Sequence, residues 1–158
     1  MTERQPYLLL FISFLLALLI WLLPVRGELA FWRPPMLLLL TIYWLFMEIR
    51  YIGVMFAWFL GLFVDLMFGQ VLGQHALAMS LAVYLVITQR QRLGHFSLPF
   101  QCLFVGAVVL VYQIVLLSVR LAATDFAGSS PLLYPVLASV ALWPLLWLGL
   151  HKLQRFVS

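Results

Sequence analysis

Charge is what this chain lacks most. Of 158 residues, nine are Lys or Arg and five are Asp or Glu, so only 9% carry formal charge. Soluble domains run near ~25%, and a water-soluble globule is excluded. The net charge of +4 is spread too thinly to form the basic face that nucleic acid requires. The single cysteine, Cys102, lies in an apolar run and cannot form an intramolecular disulfide. The three histidines, His75, His95 and His151, stand in separate boundary regions, and no HExxH or CxxC spacing occurs. A metal site is therefore not expected. No serine occupies a G-x-S-x-G elbow, and Gly-rich phosphate loops and acid-rich helix pairs for magnesium are missing too. The expectation is a protein that is not an enzyme, with neither cofactor nor metal.

What is present is apolar. Hydrophobic residues make up 66% of the chain, and mean hydropathy is +1.12. A membrane span takes about 20 residues, so six would use most of the length and leave no soluble domain. Six apolar runs are found, at about 7–24, 35–49, 51–68, 74–89, 97–119 and 131–150. They predict an all-α polytopic membrane protein, a single transmembrane domain built as a compact bundle of about six helices. The first run exceeds the ~7–15 apolar residues of a secretory signal, follows one cation beside one anion, and lacks an A-x-A site. It is read as a retained span. Pro34-Pro35 is well placed to start the second helix, while the second and third runs meet at a thin polar boundary, Glu48–Arg50.

Orientation follows from the cations of the short loops. With the N-terminus inside, Arg4, Arg50, Arg90, Arg92, Lys152 and Arg155 lie on the cytoplasmic side, and Arg26, Arg33 and Arg120 on the other. Six against three predicts cytoplasmic termini. Aromatic residues near span ends (Tyr7, Trp21, Trp32, Trp44, Tyr51, Tyr134 and Trp147) are expected to anchor the bundle at the lipid headgroups.

Few polar groups lie within the runs. Asp65 stands out, because an intramembrane carboxylate costs about 2.5–3.5 kcal/mol on insertion scales. Gly61, Asp65, Gly69 and Gly73 follow at steps of four, so on a continuous helix Gly61, Asp65 and Gly69 would share one face. Three readings are open. Asp65 caps backbone amides of the turn that starts at Gly69, or contacts a partner helix brought close by the glycines, or serves ion or proton transport. Proton paths usually offer further titratable groups at depth, and only His75 is near. Gln101 and Gln113 are expected to bond neighbouring helices, and Pro144 to kink the last one.

Three local patterns together resemble MreD, the bacterial rod shape-determining membrane protein family. They are 31–44 (FWRPPMLLLLTIYW), 61–78 (GLFVDLMFGQVLGQHALA) and 142–153 (LWPLLWLGLHKL). The middle one is the most specific, with Asp65, Gly69, Leu72, Gly73, Ala76 and Leu77 matching a D-x-x-x-G-x-x-L-G-x-x-A-L signature. The pairs Arg33-Pro34 and Trp143-Pro144 strengthen it. The resemblance implies a component of the cell-elongation machinery in the bacterial inner membrane. Its implied partners are MreC above all, then MreB, RodA and RodA's partner transpeptidase, directly or through MreC. A bundle similar to the substrate-binding subunits of energy-coupling-factor vitamin transporters is implied as well. That second likeness supplies an alternative function, a vitamin-like small-molecule binding subunit. Asp65, Gly61, Gly69, Gly73, Arg33, Pro34, Trp143 and Pro144 are the expected structural or partner-contact residues.

Overall fold

A computed structural model of the chain describes residues 5–93, 95–123 and 132–157. Six helices follow one another: α1 (Gln5–Leu22), α2 (Met36–Phe46), α3 (Val54–Phe68), α4 (Gln74–Leu93), α5 (Leu98–Ala123) and α6 (Leu133–Val157), with a short 3₁₀ turn at Gly27–Ala30. There is no strand among the described residues. Most of the segment between the fifth and sixth apolar runs lies outside the described residues, as do Arg4 and Ser158; residues 121–123 extend α5.

The boundaries have local causes. Pro35 stands at the N-cap of α2 and its carbonyl accepts the Leu39 N–H at 3.0 Å, a place where the missing proline N–H costs nothing. Glu48, just past the end of α2, takes a left-handed φ of 56° and turns the chain out of the helix. Gly69 does the same for α3 with φ 59°.

Packing runs in chain order from α3 to α6, and α2 inserts against α1, α4 and α6. Nine of the eleven α2 residues, Leu37 to Leu45, are buried. A helix apolar on every face belongs at the centre of a bundle, and α2 forms that centre. At about 16 Å long it covers roughly half of a ~30 Å hydrocarbon core. The helical segments Leu98–Ala123 and Leu133–Phe156 are long and apolar enough to cross a membrane, while Tyr7–Leu22, Met36–Phe46 and Val54–Phe68 are shorter apolar helices.

Exposed apolar side chains cover the outside. Leu8, Phe11, Leu15 and Leu19 all stand out from α1. A surface of that kind suits lipid and not water. One aromatic expectation is corrected. Trp44 is fully buried, with its indole N–H donating to Ser13 Oγ of α1 at 3.1 Å, because α2 lies inside the bundle. Tyr51 is 75% exposed and pairs with Tyr7, and Trp32 pairs with Tyr134 at 4.8 Å.

Candidate functional site

The densest polar cluster lies where α3 turns into α4. Gly69 N–H and Gln70 N–H both return to the Asp65 carbonyl, closing α3 in a left-handed cap. Gly73, with φ 94°, then aims the chain into α4. The first turn of a helix leaves N–H groups without intrahelical acceptors, and here Asp65 supplies the acceptor from the preceding helix. Its carboxylate takes the Gly73 N–H at 2.8 Å and the His75 N–H at 3.2 Å from each oxygen, while His75 Nδ1–H donates to Oδ1 at 2.7 Å. Asp65 is fully buried and His75 is nearly so. Negative charge at a helix N-terminus is favoured by the aligned peptide dipoles, which offsets part of the burial cost.

Glycine allows this arrangement in two different ways. A Cβ on Gly61 would stand 2.4 Å from the Ala76 Cα and 2.5 Å from its N, so α3 and α4 touch backbone to backbone at this point. Gly69 and Gly73 have open space around them and serve through positive φ. The shared face expected for Gly61, Asp65 and Gly69 thus extends over Gly61 and Asp65 only. Gly69 ends the helix, because a left-handed residue cannot continue it.

The His75 ring is held between Trp21 of α1, at 5.9 Å, and Tyr112 of α5, at 6.3 Å, and Trp21 also packs on Phe68 at 5.0 Å. Asp65 therefore anchors a junction of four helices. His75 was not among the expected contact residues. The one sequence signal for it was its position ten residues beyond Asp65, across a turn too short to separate them.

Arg33 closes the neighbouring end of α1. Its Nη2 donates to the carbonyls of Ile20 at 3.1 Å and Leu23 at 2.8 Å, and also to that of Trp21. They lie at the end of α1, where carbonyls lose their regular helical donors and an unmet carbonyl in or near lipid is costly; the Ile20 and Leu23 carbonyls also accept the Leu23 and Val25 N–H groups, at 3.3 and 2.9 Å. Partial burial lowers the Arg33 pKa from its ordinary value, and the guanidinium stays charged. Pro34 follows directly and its carbonyl accepts the Met36 N–H at 2.9 Å. Trp21 links the two sites, with its carbonyl on Arg33 and its ring on His75.

Trp143 and Pro144 lie elsewhere. Trp143 is fully buried against Phe46, at the far end of α2, and against Trp147, each with ring centres 6.0 Å apart. The α6 helix continues through Pro144, which deprives the Val140 carbonyl of its helical donor. Gln101 also departs from expectation. It donates to the Phe96 carbonyl at 3.4 Å, in the turn before its own helix, and not to a neighbouring helix. No group of three or more metal-ligating side chains occurs among the described residues.

The family model described as rod shape-determining protein MreD matches residues 2–153. This chain belongs to the MreD family. A curated relative, the rod shape-determining protein MreD of Haemophilus influenzae, is 29% identical over 147 residues, covering 93% of this chain and 88% of the relative. No solved structure matches. MreD proteins are rod shape-determining membrane proteins and not a known enzyme family. Of the three MreD-like patterns, the first two converge on Trp21 through Arg33 and His75. The third meets the first directly, with the Tyr43 ring 5.5 Å from that of Trp147, and Trp143 packs on Phe46 at the C-terminal end of α2.

Proposed function

We propose that this MreD protein is a non-enzymatic scaffold of the cell-elongation complex, a multi-pass inner-membrane protein with both termini in the cytoplasm. It receives a transmembrane helix of MreC and fixes its depth and rotation, and through MreC it meets MreB, RodA and the partner transpeptidase. The supporting observation is a groove of about 270 Å³ between α1 and α3, with α2 as its floor, walled by Phe11, Phe14, Leu18, Leu37, Leu60 and Phe63. Its walls are apolar throughout, and helix association in lipid rests on such close packing. A chain with so little polar surface can contact others mainly through helix faces.

The vitamin-binding alternative lacks comparable support. The hydroxyls of Thr41, Ser80 and Ser139 donate to carbonyls four residues back in their own helices, which removes them as lining for a polar cavity.

A photo-crosslinking residue at Phe63 tests the scaffold reading. It is expected to capture MreC in native membranes, whereas the same residue at Tyr84, an exposed position on α4, is not. Capture at Tyr84 alone would overturn the docking face. Depletion in a rod-shaped host should give round cells, and unaltered rods after complete depletion would overturn the elongation role. For topology, cysteines at Ser129 and Ser158, with Cys102 replaced, should label from opposite sides of the membrane.

A further inference from the structure

The α4–α5 hairpin holds a second groove, of about 480 Å³, whose two ends differ in chemistry. Phe100, Phe104, Ala107 and Val111 line it from α5 at steps of four, three and four, and Leu85, Gln89 and Arg92 from α4 at steps of four and three. Both spacings place their residues on one helix face. From Phe100 to Val111 the rise is about 16 Å, close to the depth of one leaflet of a ~30 Å core.

Polar groups occupy one end only. Gln89 and Arg92 stand in the last turns of α4, beside the Phe96–Phe100 ring pair, whose centres are 4.4 Å apart. Arg92 is exposed and makes no ion pair among the described residues. Asp65, the acid bonded to the start of α4, caps its opposite end. Arg90 adds a second cation two residues away. The groove is thus an apolar slot one leaflet deep with an exposed guanidinium at its mouth. An apolar slot that ends in a basic and an amide side chain matches an acyl chain that ends in an anionic headgroup.

We propose that the α4–α5 groove binds one anionic glycerophospholipid. An acyl chain lies along Phe100, Phe104 and Val111, and the headgroup phosphate meets Arg92 with Gln89 beside it. On the proposed topology this mouth opens in the cytoplasmic leaflet, the leaflet whose anionic lipids attract basic side chains. The site is separate from the α1–α3 groove; its leaflet rests on the proposed topology, and binding of the lipid does not depend on the scaffold reading.

Native mass spectrometry of the purified full chain, given equal amounts of phosphatidylglycerol and phosphatidylcholine with matched acyl chains, tests this. Phosphatidylglycerol should be retained about fivefold over phosphatidylcholine, the effect of roughly one basic contact. Arg92→Gln should bring the ratio near one, Arg92→Lys should keep it, and Arg26→Gln should leave it unchanged. Ala107→Trp, which fills the groove from an exposed position, should lower retention of both lipids. In the wild-type chain the preference should shrink as ammonium acetate is raised, a readout that depends on no variant's folding. Equal retention of the two lipids by wild type, a salt-independent ratio, or an undiminished lipid load in Ala107→Trp would overturn the proposal.

Discussion

Replacing Asp65 separates its capping role from any need for charge. In Asp65→Leu, three donors lose their acceptor: the backbone N–H groups of Gly73 and His75, and His75 Nδ1–H. Each buried donor left without a partner costs about 1–3 kcal/mol. The local turn can relax, so the expected loss is about 3–6 kcal/mol, a large share of typical folding stability. Asp65→Asn differs. Its carbonyl oxygen can accept the two backbone N–H groups while its amide donates to His75 Nδ1, provided the imidazole moves its proton to Nε2. Every bond then has a partner, and the loss should be about 1 kcal/mol, because Asn and Asp cap helices about equally well. Two measurements decide the matter: thermal unfolding in detergent followed by tryptophan fluorescence, and complementation of a depletion strain with membrane levels checked. Asp65→Asn should keep rods, and Asp65→Leu should lose them along with stability. If Asp65→Leu melted like wild type, the capping account would be wrong. A well-expressed, stable Asp65→Asn variant that gave round cells would show that the charge itself is needed.

The remaining expectations concern backbone approach and caps. Gly61→Ala should lower stability by about 1–3 kcal/mol, the usual range for overpacking, because its Cβ meets the Ala76 backbone at 2.4 Å; Gly53→Ala, with nothing within 4 Å, is the control in the same melting assay. Gly73→Leu should cost about 1–3 kcal/mol through its φ of 94° and not through a clash, so Gly73→Asn should recover part of the loss, and equal damage from both would refute the φ argument. Arg33→Gln should impair complementation more than Arg33→Lys, because all three carbonyls are met by the single Nη2 nitrogen and a lysine ammonium likewise offers three donors from one nitrogen; equal loss in both variants would refute this account.

The sequence by itself determined the class of the protein. Long apolar runs divided by Arg33-Pro34-Pro35, Glu48–Gly53, Gly69–Gly73 and Gln89–His95 point to helices, which satisfy their own backbone in lipid, since the runs lack the apolar–polar alternation of barrel strands. The sequence also marked Asp65 and the glycines as unusual, since their cost or freedom is a property of the residue alone. What those residues meet depends on how the helices pack. A step-of-four pattern cannot say where a helix stops, so the left-handed turn at Gly69, which swings the Asp65 carboxylate onto the start of α4, is invisible in the spacing. His75 acquires its role solely because that turn folds α4 back on α3. Trp44 reads as an interfacial anchor from its place near a run's end, yet it lies in the core because the other helices close around α2. Hydropathy records how much each side chain avoids water, and in a chain this apolar it cannot distinguish lipid from a neighbouring helix; that distinction is made by which helices pack together.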